Sequence, residues 1–191
     1  MRLIRSILSG LAPALLLSVA TAPALAQDET CPPGPDIEPA LAALIAEGQA
    51  ADRYMPARDA LRDMWALWKS PPDTWSGELL DVGKERLDMA DYEGALKAFD
   101  ALVAYCPTWA EGWNQRAYVF FNQERYAEAL VDLDRAIALS PNHIPAISGK
   151  GATLLRMGEV EAGEAALKRA VDLHPWLPER GLIREPYGAP R

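Results

Sequence analysis

Residues 110–143 read AEGWNQRAYVFFNQERYAEALVDLDRAIALSPNH, and their periodicity decides the fold. Thr108, with Glu111 three residues on, has the pattern of a capping box and predicts a helix running to about Gln123. Arg125-Tyr126 marks a turn. The next stretch, 127–139, places Ala129, Leu130, Leu133, Ala136 and Ile137 on one stripe at three- and four-residue steps, the spacing of an amphipathic return helix. Ser140-Pro141-Asn142 ends it, because proline lacks the N–H that would continue the ladder and restricts the residue before it.

The same hairpin is written three times. Pro107, Pro141 and Pro175 stand 34 residues apart, and the interval also aligns Gly83/Ala117/Gly151, Tyr92/Tyr126/Val160, Ala95/Ala129/Gly163, Phe99/Leu133/Leu167 and Leu102/Ala136/Ala170. A unit of this length cannot bury its apolar face alone and must stack on a neighbour. The small residues mark places where paired helices cross closely.

These columns resemble the tetratricopeptide repeat family. In 110–143, Trp113, Ala117, Phe120, Tyr126, Ala129, Leu133, Ala136 and Pro141 match the family pattern, with Arg116 at a place usually held by leucine. In 76–109, Leu79, Val82, Gly83, Tyr92, Ala95, Phe99 and Pro107 match. In 144–177, Gly151, Leu154, Leu167, Ala170 and Pro175 match, with Lys150 at the leucine place. The resemblance implies an all-α solenoid of three repeats. Trp75 and Trp109, one period apart, are expected to pack at the joints between repeats.

Outside the repeats, 37–51 and 56–68 form two more amphipathic stretches, within a hairpin spanning 36–75 that is expected to cover the open face of the first repeat. A proline-rich arm, 27–35, precedes it. The tail, 178–191, is broken by Pro178, Gly181, Pro186, Gly188 and Pro190, with Leu182 and Ile183 available to cap the last hairpin.

The first 26 residues read as an export signal: Arg2 and Arg5, an apolar run from Ile7 to Val19, then Ala24-Leu25-Ala26, with cleavage expected before Gln27. The implied location is a bacterial periplasm or the exterior. In that oxidising setting Cys31 and Cys106 are expected to bridge, tying the arm to the first repeat.

Composition narrows the function. The chain holds 19 Lys and Arg against 27 Asp and Glu, and losing Arg2 and Arg5 would take its net charge from −8 to −10. Nucleic acid is therefore a poor partner. Ser148-Gly149-Lys150-Gly151 lacks the spacing of a phosphate loop, because Ile144 stands where the first glycine belongs. His143 and His174 have no second ligand at zinc spacing. No nucleophile and base are paired, so neither an enzyme nor a metal or cofactor site is expected.

In the resembled family the first helix of each repeat lines a concave groove that takes peptides. The positions implied are Lys84, Asn114, Tyr118, Phe121, Asn122 and Arg156, flanked by Leu80, Leu87, Ser148 and Ala152. The family's terminal-carboxylate clamp is mostly missing, since Leu80, Gln115, Pro145 and Gly149 occupy its places. Arg116 and Lys150 are expected to reach acids such as Asp132 or Asp134 on return helices. The expected function is an exported protein-interaction adaptor or co-chaperone; the alternative is a structural module of the envelope that associates with copies of itself.

Overall fold

A computed structural model describes residues 30–184. Eight helices follow one another: α1 Glu38–Ala50, α2 Tyr54–Trp68, α3 Thr74–Asp88, α4 Tyr92–Tyr105, α5 Ala110–Asn122, α6 Tyr126–Leu139, α7 Ile144–Arg156 and α8 Val160–Leu173, with a 3-10 turn at Pro178–Leu182. No strand occurs among the described residues. The last six helices pair as α3/α4, α5/α6 and α7/α8, and the pairs stack in sequence. The export signal expected at 1–26 lies outside the described residues, as does the tail beyond Arg184.

The small-residue columns are where paired helices touch. A Cβ on Gly151 would lie 2.6 Å from Leu167 Cγ and 3.0 Å from the Gly163 carbonyl, and one on Gly163 would lie 2.8 Å from Leu155 Cγ. Gly83 lies directly against the Phe99 ring. Ala95, Phe99, Ala117, Ala129, Leu133, Leu167 and Ala170 are buried, each large member contributing ~1.5–3 kcal/mol by leaving water. Tyr92, Trp113 and Tyr126 are partly buried, with Trp113 Nε1 donating to the Pro107 carbonyl at 3.0 Å. Pro107 and Pro141 themselves are exposed; they terminate helices and do not pack.

Each hairpin turns the same way. In the second, the Glu124 N–H donates to the Phe121 carbonyl and the Arg125 N–H to that of Phe120; Ala90/Asp91 and Gly158/Glu159 repeat the pattern. The pivots Ala90, Glu124 and Gly158 have φ of 58°, 59° and 84°, the left-handed conformation that closes a helix end.

The expected start of α5 changes. Trp109, not Thr108, precedes α5, and no side chain caps it. Glu111 is drawn inward into the polar cluster described below. The capping box occurs instead at α3, where Asp73 Oδ1 accepts from the Ser76 N–H at 2.8 Å and Ser76 Oγ accepts from the Asp73 N–H.

The larger correction concerns the N-terminal hairpin. It does not cover the first repeat but runs along one edge of the array, across the ends of the return helices, and docks on the third repeat. Leu41, Ile45, Ala60, Met64 and Trp68 share a core with Ile144, Ile147, Leu167, Ala170 and Val171, and with Leu177 and Ile183 after α8. Its contacts progress along the edge: the Ala57 carbonyl lies 2.9 Å from His174 Nε2, and the Trp68 carbonyl accepts from Trp109 Nε1 at 3.3 Å. Asp73, just beyond, accepts from the Tyr105 hydroxyl at 2.7 Å. At the far end Trp176 Nε1 donates to the Ala51 carbonyl. Short connections leave α2 crossing three repeat ends in turn. Ile183 is buried here while Leu182 stays exposed.

Candidate functional site

Helices α5 and α7 bound a groove of about 360 Å³ on the inner side of the array. From α5 come Asn114, Gln115, Ala117, Tyr118 and Phe121; α7 supplies Pro145, Ser148, Gly149, Ala152 and Thr153, with Leu133 between. Steps of four and three residues put Asn114, Tyr118 and Phe121 on one face of α5. Trp65 and Lys69, from the end of α2, and Glu179, from the turn after α8, also line the space. The edge-running hairpin brings Trp65 and Lys69 to the helix starts, and with Glu179 they wall the groove at that end.

The groove wall is largely apolar but its floor is polar. Glu111 is fully buried; its carboxylate accepts from Gln115 Nε2 at 2.6 Å and from Asn114 Nδ2 at 3.0 Å. His143 Nδ1 accepts from the Ala146 N–H at 3.2 Å, which assigns the ring proton of the neutral form to Nε2. That nitrogen stands 3.3 Å from Glu111 Oε2 without a hydrogen bond of good geometry. The Trp68 indole packs on the imidazole, centroids 5.0 Å apart. Desolvating a carboxylate this fully is costly unless donors surround it, and the two amides are those donors. Glu179 Oε2, also buried at the groove, has no hydrogen-bond partner.

The six positions implied for partner binding therefore divide. Tyr118 is 54% exposed and, with partly buried Phe121, presents an open aromatic wall. Asn114 lines the space, but its amide is committed to Glu111 and is not a free clamp. Asn122 turns back to donate to the Tyr118 carbonyl at 2.7 Å and lies outside the groove. Arg156 is engaged with the preceding turn, donating to the Tyr126 hydroxyl at 3.2 Å and pairing with Glu124 at 3.5 Å. Lys84 lies on α3, beyond the groove. Of the flanking residues, Leu80 is buried in the core while Ser148 and Ala152 line the site.

Trp65, Lys69 and Glu179 escaped the sequence reading because they belong to elements outside the repeat register. Glu111 left a faint signal: the same column holds Gly77 and Pro145, so packing does not demand an acid there.

Arg116 and Lys150 are structural. Arg116 grips Asp132 with two parallel bonds, Nε to Oδ2 at 2.7 Å and Nη2 to Oδ1 at 2.8 Å, and reaches Asp100 through Nη1 at 2.8 Å. The Asp132 bonds, set against partial burial, raise its pKa above the ordinary arginine range. Lys150 reaches Asp134 at 2.6 Å. Arg116–Asp100 and Lys150–Asp134 are one contact repeated a period later, each joining a repeat to the return helix of the one before.

Among the described residues no cluster of His, Cys, Asp and Glu could hold a metal ion, and no helix is long and apolar enough to cross a membrane. Cys31 and Cys106 are bonded, with Cα atoms 5.0 Å apart.

The family model for the tetratricopeptide repeat matches residues 110–143. A TPR repeat-containing protein of Rhizobium etli is 32% identical over 81 residues, covering 42% of this chain and 40% of that one. Anaphase-promoting complex subunit 7 of Dictyostelium discoideum is 36% identical over 89 residues, 46% of this chain and 15% of that one. The chain thus spans less than half the length of these curated relatives. Among solved structures, the first TPR of Spaghetti (RPAP3) bound to an HSP90 peptide has a TM-score of 0.56 at 22% identity, covering 58% of this chain and 88% of that one. Three hairpins share one 34-residue register, and the middle one, residues 110–143, is matched from end to end by the tetratricopeptide repeat pattern.

Proposed function

We propose that this protein is an adaptor that holds a short segment of a partner protein in the groove between α5 and α7, and that it works as an exported, periplasmic interaction factor. The observation that carries the binding reading is the groove itself: aromatic and small apolar side chains, with Tyr118 half-exposed and a polar floor beneath, enclose a space suited to an apolar anchor residue. A TPR neighbour of the same fold was solved with an HSP90 peptide bound, which supports peptide capture as the mode. The groove differs from a terminal-carboxylate clamp: Leu80 is buried in the core, Gln115 is held by Glu111, and Pro145 and Gly149 offer no side-chain donor. A segment anchored by an apolar side chain suits it better than one held by its terminal carboxylate. Repeats stacked before binding reduce the ordering cost on the protein side.

Export is supported by the basic-apolar-small pattern of 1–26 and by the Cys31–Cys106 bond, a linkage favoured in oxidising compartments. Crosslinking in the native envelope followed by affinity purification tests both parts. We expect a heterologous partner that is lost on Tyr118→Ala plus Ala152→Arg, substitutions at the groove wall. Capture that is indifferent to both changes would remove the groove from the function, and protein recovered only in the cytosolic fraction would remove export.

A further inference from the structure

We propose that the outer face of α3 is a self-association surface, through which two copies of this chain pair head to head about Val82. Trp75 and Val82 on this helix and Met89 at its C-cap are seven residues apart and form one stripe, exposed by 49%, 47% and 60%. Half-exposed apolar side chains aligned on one face, here alternating with Glu78 and Arg86, mark a contact surface more than scattered ones do.

The repeat register shows why the face is bare. In the later repeats the columns of Trp75 hold Trp109 and His143, which are buried, 9% and 1% exposed, under the preceding hairpin and α2. The column of Val82 holds Arg116 and Lys150, which reach back to Asp100 and Asp134. At α3 no repeat precedes, the N-terminal hairpin has gone to the other end, and the cation is replaced by valine. Head-to-tail stacking of copies is closed off in two ways. The far face, on α8, is already covered by α1 and by Leu177 and Ile183, and the residue one period beyond Asp134 is Lys168, which offers Val82 nothing.

A symmetric partner fits better. In an antiparallel crossing centred on Val82, Trp75 of one copy meets Met89 of the other, and Glu78, four residues before the centre, comes level with Arg86, four residues after it. Both charges occur twice, so the pairing is self-complementary, as a two-fold contact requires. A helix of this length offers a face ~22 Å long and ~10 Å wide, below the area of a standard stable interface, so the dimer is a weak, concentration-dependent one.

Sedimentation equilibrium of the full chain over a concentration series tests this. The expected result is a monomer–dimer equilibrium that Val82→Glu weakens at least about tenfold, with an unchanged melting profile because Val82 is exposed. Glu78→Arg alone should also weaken it, while Glu78→Arg combined with Arg86→Glu should restore it. A chain that is monomeric up to ~1 mM, or a dimer indifferent to Val82→Glu and Glu78→Arg, overturns the proposal. The first of these outcomes leaves the stripe to a different protein, and the second places self-association elsewhere.

Discussion

The indole of Trp68 lies against the imidazole of His143, ring centroids 5.0 Å apart, although one residue precedes the repeats and the other opens the third of them. This contact fixes where the N-terminal hairpin goes, and with it the walled end of the groove. Both side chains are nearly inaccessible to solvent, so the edge of the array is a true core and not a loose overlay.

The same edge has no room to spare at its far end. A Cβ on Gly48 would lie 2.8 Å from His174 Cδ2 and 3.2 Å from Nε2, and that imidazole is itself held at the Ala57 carbonyl. Gly48→Ala is therefore expected to lower stability by ~1–3 kcal/mol through overpacking, despite the gain in helix propensity. Gly181→Ala, where nothing lies within 4 Å, is the control and should leave urea unfolding unchanged. Equal midpoints for the two variants would show that α1 does not sit tightly on His174.

The Cys31–Cys106 bond closes a 75-residue separation that contains the whole N-terminal hairpin. Limiting the unfolded chain by a loop of that size is worth about 4 kcal/mol in the chain-entropy account. Replacing both cysteines by serine should lower the unfolding free energy by roughly that amount, and proteolysis should then cut the 27–35 arm first. Mass analysis after alkylation without reductant checks the bond directly, with two labelled cysteines in freshly purified protein as the contrary result.

Arg116 and Lys150 occupy one column but differ in what their loss exposes. Asp132 is buried beneath Arg116, its side chain 2% accessible, so Arg116→Ala strands a carboxylate and should cost ~3–5 kcal/mol. Lys150→Ala removes a pair whose acid remains largely in water, and the expected cost is at most ~1 kcal/mol. Thermal and urea melts of the two variants measure the difference. A combined Arg116→Met, Asp132→Leu variant should recover much of the loss, since the penalty lies in the unpaired charge.

The register was legible because its columns are set by contacts within one hairpin or between neighbours. Gly83, Gly151 and Gly163 announce close crossings through the absence of a side chain. The turn pivots were less so: Gly158 signals its left-handed backbone, whereas Ala90 and Glu124 adopt the same conformation with no such sign. The course of α2 was not legible at all. Its apolar stripe, with Leu61, Met64, Trp65 and Trp68, shows that one face is buried but not against what, and its partner His174 lies 117 residues beyond Ala57. The groove shared this fate in part. Tyr118 and Phe121 follow from helical spacing, while Trp65, Lys69 and Glu179 depend on that long-range docking.

Asp73, at the end of the N-terminal hairpin, is bonded to Tyr105 of the first repeat, and this contact is expected to depend on pH. Its carboxylate accepts from the Ser76 N–H, from the Tyr105 hydroxyl at 2.7 Å and from the Ser76 hydroxyl, and these bonds hold its pKa below the ordinary aspartate range. A folded-state pKa below the unfolded one contributes stability above the unfolded value, and that contribution disappears as pH falls through the folded one. Asp73→Asn should accordingly be less stable than the parent at neutral pH, and the two should converge as the medium is acidified past the aspartate range. Urea midpoints measured from pH 7 downward test the sign. Curves that stay parallel across that range would mean the Ser76 and Tyr105 bonds do not depend on the charge of Asp73.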